Sequence, residues 1–432
     1  MTMITAIRIN VHRLIAISCW LITYIGYGQT GKLLTLDTCY AIAKQQYPMI
    51  KQKGLIEKSR QYNVQNASRG YLPTLSFNGQ ATYQDPVTAI NFTLPKPFSI
   101  SFPTFNHDQY KAYGEIDQVI YDGGNIHNQK LQKETDADIQ EQNLEVNLYA
   151  IKERVNQIYF GTLLIDEQIK LNELVQKDIQ SSVDKIQASV TNGAALQSSM
   201  DELEAELMQQ QQNHIELQSS RKSYISMLGL FINQPLEEST RLQKPNEIQT
   251  ANTIKRPELS LYDEQKKSYD VQDKMLTSGN LPRLSFFFQG GYGRPGLNAF
   301  DNTFEPYYIG GFRFSWTLGG LYTIKNQRQL LNIERQTLDV EKETFLFNTN
   351  LTLKQQSEEI IKLQQLIAKD NDIIAKRTSV KVASKVQLEN GVITTHEYLN
   401  ELVAEEQAKQ NLIVHNVQLL MAEYNYQNTS GN

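Results

Sequence analysis

Gly291-Tyr292-Gly293-Arg294-Pro295-Gly296 has the Gly-x-Gly-x-x-Gly spacing with which a backbone can cradle phosphates. That chemistry needs a helix N-terminus directly behind the glycines, and Pro295 with the loop after it supplies none, so the stretch reads as a loop. His107, His127, His214, His396 and His415 show no paired metal-ligand spacing. No nucleophile motif appears. The acidic residues recur at helical intervals among lysines and glutamines, which describes a solvated face rather than a carboxylate pair set apart for proton transfer. No enzyme, cofactor or metal is expected on these grounds. Glu115, Asp117 and Arg313 are more informative, because each alternates with apolar neighbours. Charge opposite an apolar face belongs in a water-filled lumen, the plainer alternative being the polar face of a soluble sheet.

The elements that carry these residues occur twice. Gly70-Tyr71-Leu72-Pro73-Thr74-Leu75-Ser76-Phe77 returns as Gly279-Asn280-Leu281-Pro282-Arg283-Leu284-Ser285-Phe286. Each copy has a further proline at one fixed distance upstream, Pro48 before Pro73 and Pro257 before Pro282. Two matches in register argue a duplication, and the chain divides accordingly: a first repeat over residues 29–232, a linker over 233–253 and a second repeat over 254–432.

Residues 1–28 stand apart as a secretory signal. Arg8 and Arg13 precede an apolar run, and Gly26-Tyr27-Gly28 supplies the small residues of a cleavage site. Cys19 raises a lipoprotein reading, but the apolar spacer before it is short and Ala16 stands where leucine is expected. Cys39 is then the one cysteine of the mature chain, so no intrachain disulfide framework forms. Of 42 basic residues Arg8 and Arg13 leave with the signal, so 40 face 47 acidic ones, a net charge near −7. That balance disfavours nucleic acid as a partner. No run of eighteen apolar residues follows the signal, so a membrane span would have to be built from alternating strands.

Such alternation is present. Residues 36–68 read as a helix with Thr35 or Asp37 as cap and Pro48 as a kink or division. Leu75, Phe77, Gly79, Ala81 and Tyr83 then share one strand face against Ser76, Asn78, Gln80 and Thr82. A proline-rich connection over residues 84–109 leads to a strand near 113–121. In the second copy Leu284, Phe286, Phe288, Gly290 and Tyr292 alternate, and after a Gly-Pro-rich connection over 293–306 so do Phe312, Phe314, Trp316 and Leu318. Phe286, Phe288, Phe312, Phe314 and Trp316 fall on the faces expected to meet lipid.

Each second strand ends in a glycine pair, Gly123-Gly124 or Gly319-Gly320, after which the period becomes helical. Residues 125–191 and 321–390 contain no proline, and a helix of that length spans on the order of 100 Å. Leu331, Leu338 and Phe345 recur every seven residues, then Leu346, Leu353, Ile360, Ile367 and Ile374. The one-residue slip predicts less supercoiling than in a strict two-stranded coil. Asn192-Gly193 and Asn390-Gly391 mark helix ends, and returning helices follow. Four amphipathic strands cannot close a barrel, so other copies must complete it, and three copies give twelve strands.

In this order the motifs resemble the TolC-like outer membrane efflux proteins. Leu34-Thr35-Leu36-Asp37 with Gln46-Tyr47-Pro48 is similar to the family's N-terminal helix signature, and Tyr121-Asp122-Gly123-Gly124 to its strand-to-helix junction. The resemblance implies an α+β membrane protein: a homotrimer with a twelve-stranded β-barrel in outer membrane lipid and a long α-helical coiled-coil barrel in the periplasm of a Gram-negative cell. It implies a passive duct for efflux or type I secretion, fed by an inner-membrane transporter through a periplasmic adaptor. The adaptor-docking tips would be Asn192, Gly193, Leu196, Asn390, Gly391 and Thr394. The family's two acidic aperture rings would fall at Glu397 and Asn400, so one ring is kept and the other has lost its charge. Read from the residues alone, a secreted rod-like coiled-coil structural or adhesive protein is the alternative.

Overall fold

The computed structural model describes residues 33–87, 95, 97, 104–248 and 253–432. The expected signal sequence over residues 1–28 and much of the 84–109 connection lie outside them. Contacts divide the chain into two compact units, each assembled from both repeats.

In the unit that holds residues 44–153, 248–361 and 422–432, four strands form one antiparallel sheet in chain order. They are β1 (Thr74–Tyr83), β2 (Asp108–Tyr121), β3 (Arg283–Arg294) and β4 (Glu305–Ser315). Chain order means that each repeat contributes one hairpin and that β2 and β3 join the repeats, leaving β1 and β4 with open edges among the described residues. The fourth strand differs from the sequence expectation. It begins earlier and stops at Ser315, so Trp316 and Leu318 leave the ladder. The indole N–H of Trp316 instead donates to the Asn280 carbonyl at 3.0 Å, and Leu318–Tyr322 winds into a short 3₁₀ turn through the glycine pair.

Eight α-helices are described along the chain. Thr35 caps α1 (Leu36–Gln46), its Oγ1 accepting from the Thr38 N–H at 3.2 Å. Pro48 divides the predicted helix, opening a 3₁₀ turn before α2 (Lys51–Ser68). The helix expected over 125–191 is two, α3 (Asn125–Tyr149) and α4 (Ile151–Thr191), which meet at Ala150 with its backbone still in the right-handed helical region. The chain then returns through α5 (Gln197–Ile232), α6 (Pro257–Ser278), α7 (Ile324–Glu389) and α8 (Thr395–Ser430). Within this unit α2 packs on α3 and α3 on α6. The α6–α7 contact is a ladder of ion pairs: Asp263–Lys342, Lys266–Asp339, Asp270–Arg335 and Asp273–Arg328, at 2.8–2.9 Å. Each is solvent-exposed and contributes at most about 1 kcal/mol, but four at helical intervals fix how the helices align.

The other unit holds the hairpin ends. Leu171, Val175, Ile179, Val183 and Ile186 of α4 pack with Leu203 of α5 and with Tyr398, Leu399 and Leu402 of α8. Tyr159 is buried and its hydroxyl reaches the carbonyls of Leu34 and Gln243, at 2.8 and 2.6 Å, beside the parallel bridge of Leu34 with Leu242. On α7 the predicted seven-residue seam is the buried stripe: Leu338, Leu353 and Ile360 are buried, and Leu331, Phe345, Leu346, Ile367 and Ile374 are half-buried. Among the described residues no helix is long and apolar enough to cross a membrane.

Candidate functional site

The two sheet faces differ in kind. On one, Arg313 of β4 crosses β3 by lying over the Phe287 ring, 4.7 Å from its centroid, and forks onto β2. Its guanidinium donates to Glu115 at 2.9 Å and to Asp117 at 3.1 Å, and Asp117 also accepts from the Ser285 hydroxyl at 3.0 Å. The three charged residues singled out in the sequence therefore form one network, with Gln289 donating to Glu115 at 2.8 Å. On the opposite face, Phe286 meets Phe312 edge-on at 5.8 Å between centroids, and Phe288 stacks on Tyr308 at 6.4 Å. Phe314 pairs with Leu284. This apolar face is also the uncovered one: Phe312 is 70% exposed and Phe314 66%. Trp316 is exposed as well, just beyond the strand.

The hairpin tips lie together in the second unit. Each long helix ends in the same paired bonds. Gly193 N–H reaches Val190 and Ala194 N–H reaches Ser189 at one tip; Gly391 reaches Leu388 and Val392 reaches Gln387 at the other, all at 2.8–3.0 Å. Closing the helix this way places the glycine in the left-handed region, at φ 73° for Gly193 and 69° for Gly391. Asn192 and Asn390 precede them and are exposed. Between the tips is a cleft of about 590 Å³ lined by Lys185, Ser189, Leu196, Lys385, Glu389 and Thr394, among others, with Lys185 bridged to Glu389 at 2.5 Å. Leu196 stands 72% exposed at its edge.

Glu397 has a local partner that its sequence context specifies. Thr394-Thr395-His396-Glu397 is a capping box. Thr394 Oγ1 accepts from the Glu397 N–H at 3.2 Å, and Glu397 Oε2 accepts from the Thr394 N–H at 2.8 Å and its hydroxyl at 3.0 Å. The Thr394 backbone and hydroxyl bonds, with a smaller contribution from His396, hold this carboxyl below its ordinary range. Asn400, one turn on, is exposed like Glu397. His396 itself contacts Glu202 of α5 at 3.1 Å.

Sequence reading missed a polar network inside the hairpin core. Lys381 bonds Asp178 and Glu405, both at 2.9 Å, while Thr378 and Lys409 also donate to Glu405, at 2.7 and 2.9 Å. Burial acts against both charges, yet these bonds outweigh it: Lys381 is raised and Glu405 lowered from their ordinary values. The signal was available, because Lys381 is the next seven-residue step after Ile360, Ile367 and Ile374. Nearby, one Gln210 amide reaches Glu206 at 3.0 Å and Glu406 at 3.4 Å. Burial, and then the charge of Glu206, push Glu406 up.

Residues 40–243 match the family model described as outer membrane efflux protein. The fold is similar to that of outer membrane channels along nearly the whole chain. The outer membrane protein VceC of Vibrio cholerae is 12% identical, with 92% of this chain and 96% of that one covered at a TM-score of 0.63. CusC, also 12% identical, is covered to 94% on both sides at 0.65. Over residues 40–243 the chain is homologous to the outer membrane efflux proteins. The open-state MtrE outer membrane channel of Neisseria gonorrhoeae, 12% identical, superimposes at 0.63 with 92% of this chain and 89% of that one covered. No curated protein matches the chain by sequence. Efflux channel homology does not favour the secreted coiled-coil rod, and the family is one of channel proteins rather than enzymes.

Proposed function

We propose that three copies of this chain form a passive duct through the outer membrane of a Gram-negative cell, receiving substrates from an inner-membrane transporter by way of a periplasmic adaptor. The observation that carries this reading is the sheet with two open edges, one exposed aromatic face and one charged face. In lipid an open edge leaves N–H and C=O groups unpaired at a cost of several kcal/mol each, so the sheet must close with other copies. Twelve strands then place Phe286, Phe288, Phe312 and Phe314 against lipid and Glu115, Asp117 and Arg313 in the lumen, with Trp316 at the end of the lipid face.

The flanking helices support the same closure. Beyond its buried seam, α7 carries a second apolar stripe, Ile333, Val340 and Phe347, seven apart and 55–63% exposed. At the other edge of the layer α2 carries Leu55 and Tyr62, also seven apart and 64–66% exposed. The exposed ionic neighbours are complementary, Lys51 and Lys58 on α2 and Glu334 and Glu341 on α7. An α7-to-α2 contact between copies thus runs alongside a β4-to-β1 contact.

In the second unit, we assign adaptor docking to the tips, Asn192, Gly193 and Leu196 with Asn390, Gly391 and Thr394, and the aperture to Glu397 and Asn400. Three Glu397 carboxylates with one free oxygen each make the mouth attractive to cations. Single-channel recording in planar bilayers tests this. The wild type is expected to conduct with cation preference and Glu397→Gln to lose most of that preference; a preference unchanged in the variant would remove Glu397 from the aperture.

A further inference from the structure

Four strand glycines of the sheet lie directly against the side chain of an aromatic residue of the next strand, whereas Gly290, Gly293 and Gly79 do not. Gly114 lies opposite Phe77, Gly291 opposite Tyr113, Gly310 opposite Phe288 and Gly311 opposite Phe287. A Cβ built at Gly114, Gly310 or Gly311 would meet the opposing ring at 3.2–3.4 Å, and one at Gly291 would collide with Tyr113. Gly114, Gly310 and Gly311 are thus sockets for the rings across from them, the pairing by which a strand glycine regains the contacts its missing side chain forfeits, while Gly291 lies against the backbone and Cβ of Tyr113. Gly79 alone among the strand glycines has nothing within 4 Å. Its partner within the chain is Ala112, and above Gly79, Ala81 and Ala112 lies an open cleft of about 460 Å³. Gly79 stands on β1, whose other edge is free among the described residues, so a strand of another copy paired there can bring an aromatic over it.

The stagger of the sheet selects that aromatic. One row across the strands runs Thr74, Asp117, Phe287, Gly311. Thr74 begins β1, whereas β4 continues four residues past Gly311 to Ser315. Asp117 and Phe287 also stand four residues from the matching ends of β2 and β3, at Tyr121 and Arg283, so the strand ends fix a climb of four residues across one copy. The tilt of barrel strands, roughly 35–45°, supplies between one and two residues for a further step. One more step, onto β1 of the next copy, brings it five or six residues above Thr74. Only the even-numbered residues of β1 share the face of Thr74, which leaves Gln80. With Gly311 opposite Gln80 in an antiparallel pair, Phe312 falls opposite Gly79. Phe312 is on the matching face and 70% exposed. The same register sets Phe314 against Phe77 and Tyr308 against Tyr83, all of them exposed within one copy.

We propose that Gly79 is the socket for Phe312 of the neighbouring copy, and that this contact sets the register in which the sheets close, an inference that rests on the trimeric reading above. A one-step slip would keep the apolar face outward only if it moved the pairing by two residues, which would place Gly310 or Phe314 at the socket.

Cysteine pairs between copies decide the matter, made in a Cys39→Ala background and oxidised in the membrane. Gly79→Cys with Phe312→Cys and, separately, Gln80→Cys with Gly311→Cys test one register at both alternating site types of an antiparallel ladder. Both variants are expected to give covalent dimers and trimers on denaturing gels, and Gly79→Cys with Gly310→Cys or with Phe314→Cys is expected to stay monomeric. Bands in a slipped pair instead, or a trimer by sedimentation with no bands in any pair, would overturn the register while leaving the trimer standing. A monomer by sedimentation would remove the trimer itself. A swap provides a readout without cysteine: Gly79→Phe should lower the temperature at which the trimer dissociates, and adding Phe312→Gly should restore it. Failure of the second change to recover any stability would also contradict the socket.

Discussion

At the residue scale, Glu397 caps a helix, and the aperture role proposed for it can be separated from that task by a pair of substitutions. Its carboxylate closes a capping box with Thr394, and its free oxygen faces solvent beside the tip. Thr394→Ala should lower stability by about 1 kcal/mol, measured by denaturant melting, while leaving ion preference intact. Glu397→Gln keeps a capping acceptor and should therefore change ion preference more than stability. Glu406 gives a pH signature of opposite sign to that of Glu405. Because Glu406 is raised in the fold, the folded state binds its proton more readily than the unfolded chain, and the stability so gained is present at acid pH and lost as pH rises through the raised value. Glu405, lowered by Thr378, Lys381 and Lys409, contributes stability above the ordinary carboxylate range and loses it as pH falls. Glu406→Gln should accordingly stabilise the hairpin unit at neutral pH and flatten its pH dependence, whereas Glu405→Gln should destabilise it there. Melting temperature against pH for the two variants distinguishes them; parallel curves would contradict the assignment.

At the element scale, the paired bonds at each tip require a left-handed residue. Gly391→Ala should cost about 1 kcal/mol through its positive φ alone, since no atom lies within 4 Å of the added Cβ. Melting of that variant checks the value. Most elements were legible because their periods are unmistakable: two in the strands, seven in the buried stripe of α7, and glycine pairs where one gives way to the other. What was not legible has local causes. β4 ends before Trp316 because the indole finds the Asn280 carbonyl, a contact between residues that only the fold brings together. The division at Ala150 carries no proline or glycine and so leaves no mark in the sequence. The network around Lys381 was hidden differently, since a charged residue at a seam position reads as an interruption until Asp178 and Glu405 are seen converging on it from two other helices. The capping box at Thr394 is legible in the sequence, as a threonine three residues before a glutamate at the start of a helix.

At the scale of the whole molecule, what one copy leaves uncovered describes its neighbours. Among the described residues the sheet lacks partners at β1 and β4, the helical layer exposes apolar stripes on α2 and α7, and the aromatic face is open across all four strands. Replacing Ile333 and Val340 together by glutamate should weaken assembly without unfolding the chain, because neither side chain is part of the buried seam; helix content by circular dichroism would stay constant while sedimentation shifts toward smaller species. The most direct measurement is the mass and membrane location of the native protein, by fractionating membranes, extracting the outer membrane in mild detergent and weighing the complex. The account predicts a heat-resistant trimer in the outer membrane fraction. A soluble monomer or dimer, released without detergent, would contradict it.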